Sequence, residues 1–189
     1  MPRLIHVNGP SGIGKSTIAR MYAERHPGVL NLDIDQVVGL IGGWQDDFWN
    51  AFRAAQLLAI GMAETHLRTG HDVVMPQLVT RHEDIAGFDA AVSRCGARYR
   101  EIILVAEKQR ALDRFAGRAT SSDLALQRTL DEVLERHGGL ALVERIHGQI
   151  GAYLRGRPDC VVVHTDGQDP AATYDAVSTA LAEAPSGTA

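Results

Sequence analysis

The chain has 189 residues, 45% of them hydrophobic and 22% charged, which is enough for one domain with a sizeable buried core. Its formal net charge of −4 argues against a general binder of nucleic acid or of membrane surfaces. No apolar run approaches the roughly 18–20 residues of a membrane-spanning helix, and the first one, residues 4–7, is too short for a signal peptide, so a cytoplasmic location is expected.

In chain order, Arg3–Asn8 (RLIHVN) reads as a short buried strand that runs straight into glycines, and residues 18–25 as a helix stopped by His26-Pro27-Gly28. Between them stands GPSGIGKST, which fits G-x-x-x-x-G-K-[S/T] through Gly9, Gly14, Lys15 and Ser16. Of 19 basic residues only Lys15 and Lys108 are lysines, and one of them occupies the motif. Composition alone yields roughly two such matches per thousand chains of this kind. Residues 29–32 read as a second strand that ends in Asp33-Ile34-Asp35. Residues 46–69 have helical spacing, with Phe48, Phe52, Ala55, Leu58 and Met62 along one stripe and Gly70 as the stop. A third strand at 72–76, a helix at about 83–94 and a fourth strand at 99–106 follow. Residues 108–155 read as mainly helical, broken at 117–122 and at Gly138-Gly139, and a fifth strand at 160–164 precedes a closing helix at 170–182. The tail APSGTA is expected to fray. Cys95 and Cys160 lie far apart without ligand spacing and read as reduced thiols, and the eight histidines show no metal spacing.

Strands alternating with helices indicate an α/β fold, a parallel sheet covered on both faces, with residues 1–189 forming one domain. Right-handed crossovers then gather the functional loops at the carboxyl edge of the strands. That edge collects residues 9–16, 33–35, 76–80, the segment after Ala106, and 165–169.

Strand, glycine loop, helix is the context in which this motif cradles phosphate. Gly9, Gly12 and Gly14 let backbone N–H groups curl around phosphate oxygens where a Cβ would block approach. Gly9, Ser11, Gly12, Ile13, Gly14, Lys15, Ser16 and Thr17 are therefore expected to hold ATP. Lys15 neutralises the β- and γ-phosphates, Ser16 ligates Mg²⁺, and Thr17 reaches the α-phosphate. Asp33 and Asp35 fall near the expected γ-phosphate. A phosphotransferase needs a carboxylate to take a hydroxyl proton, the role given to Asp35, and another to hold metal, the role given to Asp33. The competing reading makes Asp35 the cap of a helix beginning at Gln36.

Arg110, Arg114 and Arg118 recur every four residues and share a helix face, with Ser121-Ser122 as a break and Arg128 beyond it. Guanidinium groups there suit the charge of a transferring phosphoryl group, and a helical arginine lid over about 108–138 would exclude water. Arg114 and Arg118 are the expected contributors. Arg110 reads better as a solvated partner of nearby acids. Trp44, Phe48, Trp49 and Phe52 crowd into nine residues with Arg53 directly after. They read equally as core or as the wall of an acceptor pocket.

With these motifs placed, the chain resembles the small P-loop kinases of the nucleoside-monophosphate-kinase type. FWNAFRAAQLLAIGMAE, VVMPQLVTR and KQRALDRFAGR resemble the tunicamycin-resistance proteins, where a similar W-x-A-F, V-P-x-T and arginine-rich lid occur in that order. VNGPSGIGKST, the Ile34-Asp35 step and Phe52-Arg53-Ala54 resemble the chloramphenicol phosphotransferases, in which the Asp matching Asp35 activates the drug hydroxyl. The resemblance implies a P-loop NTPase three-layer sandwich with strand order 2-3-1-4-5, and ATP with Mg²⁺. Many relatives end the third strand with an acid, whereas this one ends Met75-Pro76-Gln77, which leaves Gln77 as a neutral substrate contact.

The expected activity is transfer of the ATP γ-phosphate to a hydroxyl of a small molecule, an antibiotic or nucleoside-like compound. Trp49, Phe52, Arg53, Gln77 and Asp35 would lie on the acceptor, and neither nucleic acid nor membrane would be a partner. A rival reading is a resistance or sequestration protein that binds its ligand without phosphorylating it, supported by the missing acid on the third strand. A kinase of nucleic-acid 5′ ends is disfavoured by the net charge.

Overall fold

A computed structural model of the protein describes residues 1–107, 132, 135, 138–157 and 160–183. Arg110, Arg114, Arg118, Arg128 and most of the expected lid lie outside the described residues.

Five strands, β1 Arg3–Asn8, β2 Leu30–Asn31, β3 Val73–Pro76, β4 Arg98–Val105 and β5 Val161–His164, form one sheet in the order β2-β3-β1-β4-β5. Every neighbouring pair is parallel. The helices described are α1 Lys15–Arg25, α2 Ile34–Val38, α3 Phe48–Leu67, α4 Ala86–Arg94, α5 Gly139–Arg155 and α6 Pro170–Ala182. This is the P-loop NTPase architecture that the resemblance implies.

A strand covered on both faces must be apolar on both, and the pleat sends alternate residues to opposite sides. Leu4, Val73 and Met75 pack with Ala55, Ala59, Phe88 and Val92 beneath α3 and α4. Ile5, Val7, Val74, Ile102 and Leu104 pack on the other side with Ile18, Tyr22, Tyr174 and Val177 of α1 and α6. A third cluster joins Ile103, Val79 and Ile85 to Ile150 and Tyr153 of α5.

Three local expectations are corrected. Helix α1 begins at Lys15 rather than at 18, because Gly14 takes the left-handed N-cap conformation and the loop feeds directly into helix. A short helix, α2, follows β2 and begins at Ile34, two residues before the Gln36 start of the competing reading. On α3 the buried stripe is Ala51, Ala55, Ala59, Ala63 and Leu67, while Leu58 and Met62 are exposed. Alanines spaced by four let the helix axis approach the sheet closely, so the larger side chains turn outward. The last helix matches its expected limits, with Pro170 at its start and Asp169 accepting from Ala172 N at 2.8 Å.

Candidate functional site

The phosphate-loop geometry follows from three glycines. At Gly9 a Cβ would stand 2.5 Å from the carbonyl oxygen of Leu104, and φ is +142°, so only glycine lets the chain leave β1 against β4. Gly12 and Gly14 hold φ of 81° and 104°. No side chain caps the first turn of α1, so its N–H groups and the positive end of its dipole are directed at the loop. Lys15 folds back over the loop, its Nζ donating to the Pro10 carbonyl at 2.9 Å. Main-chain N–H groups, an ammonium and the hydroxyls of Ser16 and Thr17 form a donor set suited to phosphate oxygens and a hard cation. Beside them lies a cavity of about 240 Å³ lined by Gly12, Gly14, Thr17, Gln168, Asp169 and Thr173. The β1 and β5 edges thus converge as expected.

Two strands away, β2 delivers the aspartates. Asp33, not Asp35, is the helix cap: its carboxylate accepts from Asp35 N at 3.1 Å, and α2 starts at Ile34. The competing reading of Asp35 as a cap is therefore corrected. Asp35 stands in the first turn of α2, and both aspartates are half-buried. β3 lies between β2 and β1, so two strand spacings, about 10 Å, separate the aspartates' strand from the loop's strand. Gln77 leaves β3 in that interval. Its N–H donates to the Val7 carbonyl at 3.2 Å, and its side-chain Nε2 reaches the Leu78 carbonyl at 3.5 Å.

The aromatic cluster divides. Trp44 and Phe48 are core, whereas Trp49 is 47% exposed. Trp49, Phe52 and Arg53 line a cavity of about 570 Å³ together with Gln56, Leu78 and Arg81. Arg53 donates to Asn50 Oδ1 at 2.9 Å, and Arg81 pairs with Asp84 at 2.8 Å. Gln56 and Arg81 carry no local signal of this, because only folding brings α3 against the loop after β3. Leu78 links this cavity to the phosphate loop: its neighbour Val79 is bonded to Asn8, and Asn8 to Gly9.

A buried polar group beneath the loop also escaped the sequence reading. Asn8, His6, Glu101, Tyr99, Tyr153 and Arg157 bond to one another across β1, β4 and α5. Burial by itself would raise the Glu101 carboxyl, but the hydrogen bonds and charge of His6, with Asn8 and Tyr153, outweigh it and bring it down to about 2. The same carboxylate, after burial, pushes the Tyr153 phenol up. The available signal was polar residues at alternate positions, His6/Asn8 and Tyr99/Glu101, in strands expected to be apolar on both faces. Among the described residues, no group of three or more His, Cys, Asp or Glu could hold a metal by itself, and no helix is long and apolar enough to cross a membrane.

Residues 4–140 match a family model described as AAA domain. No curated protein matches the chain significantly. Among solved structures, the chain is similar to the tunicamycin resistance protein of Deinococcus radiodurans, at 15% identity and TM-score 0.59, covering 97% of this chain and 98% of that one. It is similar to a Chloroflexus aurantiacus protein assigned as a kinase, at 20% identity and TM-score 0.61 over 95% and 96%. It is also similar to a gluconokinase of Sinorhizobium meliloti, at 15% identity and TM-score 0.56 over 95% of each chain. These likenesses show the fold, a kinase-like P-loop sandwich.

Proposed function

The chain belongs to the AAA domain family, and from that premise we propose that it is an ATP-dependent phosphotransferase whose acceptor is a hydroxyl of a small molecule, such as an antibiotic or nucleoside-like compound. The observation that carries this reading is the cavity at Trp49, Phe52 and Arg53, walled by the loop after β3 and bonded through Asn8 to the phosphate loop. Phosphoryl transfer requires donor and acceptor seats at a fixed mutual distance, and a second cavity tied to the phosphate loop supports that reading.

Lys15 and the loop N–H groups hold the β- and γ-phosphates, and the cavity beside α6 receives the nucleoside end of ATP. Ser16 and Asp33 would hold Mg²⁺, which supplies charge neutralisation on the phosphate oxygens. The acceptor oxygen attacks the γ-phosphorus, the bond to the β-bridging oxygen breaks, and ADP leaves. Asp35 takes the proton that the acceptor hydroxyl loses. Arg114 and Arg118 stabilise the charge on the transferring group. Trp49 and Phe52 present apolar surface to the acceptor, while Arg53 and Gln77 offer donors.

The test is incubation with γ-labelled ATP, Mg²⁺ and a panel of nucleosides and hydroxyl-bearing antibiotics. Label should appear on one of these compounds. Asp35→Asn should lower that turnover about 10²-fold or more with ATP affinity nearly unchanged. Unchanged turnover would remove Asp35 from its role. Tight binding of a compound with no labelled product would favour sequestration instead.

A further inference from the structure

Beneath the phosphate loop, β1 and β4 carry polar side chains where a parallel sheet would ordinarily be apolar. The register pairs His6 with Glu101 and Leu4 with Tyr99, so the period of two puts His6, Asn8, Tyr99 and Glu101 on one face. His6 and Asn8 are fully buried, and Glu101 is 6% exposed. Each of these buried polar groups would be costly if left unbonded.

Asn8 uses its whole hydrogen-bonding capacity. Its Oδ1 accepts from Gly9 N at 2.7 Å and Val79 N at 2.9 Å, and its Nδ2 donates to Val79 O at 3.0 Å and Glu101 Oε1 at 2.9 Å. Gly9 and Val79 lie beyond the strand ends, where no ladder serves their backbone groups. His6 Nε2 lies 2.8 Å from the Gln77 carbonyl, which only accepts, so that nitrogen donates. Two side chains of β1 therefore anchor the loop after β3 to the strand that opens the phosphate loop.

Glu101 organises both. It accepts from Asn8 and lies 3.4 Å from His6 Nδ1. From the other side it accepts from Tyr153 Oη at 2.9 Å, from Arg157 Nε at 3.0 Å, and pairs with Arg157 Nη2 at 2.9 Å. Tyr153 is on α5 and Arg157 is two residues past it. A buried ion pair adds little net stability over well-packed apolar residues. What apolar residues could not do is hold the backbone of Gly9 and Val79.

We propose that Glu101 is a positioning residue for the nucleotide site: with Arg157 and Tyr153 it keeps Asn8 oriented, so that the set of the phosphate loop depends on the seating of α5. The proposal deepens the kinase reading but needs only its nucleotide half. It makes Arg157 matter to nucleotide affinity although Arg157 bonds to no residue of the phosphate loop.

Titration calorimetry of the full chain with a non-hydrolysable ATP analogue and Mg²⁺ tests it, at a temperature where circular dichroism shows each variant folded. Arg157→Met should raise Kd about tenfold, and Arg157→Lys, which retains a cation, should recover most of that loss. Tyr153→Phe keeps its ring in the core and removes one donor from Glu101, so it should fold and still raise Kd about threefold. A merely structural network predicts lower melting temperatures with wild-type Kd in both Arg157→Met and Tyr153→Phe, and that result overturns the proposal. If Arg157→Met does not fold, Tyr153→Phe alone decides. Absence of analogue binding by the wild-type chain overturns the proposed function itself, and this proposal with it.

Discussion

At position 9 one missing methyl group decides where the phosphate loop can run. The Cβ of an alanine would meet the Leu104 carbonyl oxygen at 2.5 Å with φ at +142°, and that oxygen belongs to a central strand that cannot retreat. Gly9→Ala should destabilise the fold by about 2 kcal/mol or more, read as a lower denaturation midpoint. Glu101 is the second residue whose surroundings set a measurable property. Its carboxyl falls from an ordinary 4.5 to about 2, so its contribution to stability is complete above pH about 4.5 and is lost as the pH falls through about 2. Asp89 nearby is raised, by burial first, so the comparison must isolate one group. The stability gap between the wild type and Glu101→Gln should narrow steadily as the pH falls from about 4.5 toward 2. A gap that widens on acidification contradicts this assignment.

Among the elements, α3 shows the difference between composition and placement. Its hydrophobic residues outnumber what one face can hold, and periodicity alone selected a stripe through Leu58 and Met62. The sheet instead selects the alanine ridge, since Leu4, Val73 and Met75 already fill the space and only small side chains fit between them and the helix. Ala59→Leu should therefore cost about 1–3 kcal/mol by overpacking. Leu58→Ala, at a position 53% exposed, should change stability by less than about 0.5 kcal/mol in chemical denaturation. The strands were easier to read, because apolar runs between turn signals have few alternatives. β2 came out shorter than expected, as Leu30–Asn31 alone.

At the scale of the whole molecule, the phosphate loop, the aspartates after β2 and Gln77 after β3 lie along one edge because all five strands are parallel. A nucleotide that binds only the folded chain must stabilise it. At a hundred times its Kd, Mg²⁺-ATP should contribute about 2.7 kcal/mol and raise the melting temperature by about 5–10 °C, a shift that Lys15→Met should largely abolish. Read without any fold, the residues already determined the phosphate loop, the alternation of strands and helices, and the aspartates at the end of β2, because each depends on neighbours within a few positions. Tertiary structure alone decided that Trp49 and Phe52 face a cavity while Trp44 and Phe48 are core, and that Arg81 joins them. It alone paired Glu101 with Asn8, 93 residues apart, and with Arg157. The physical reason is register: a one-residue slip of β4 against β1 would send Glu101 to the opposite face, and no local pattern specifies that alignment.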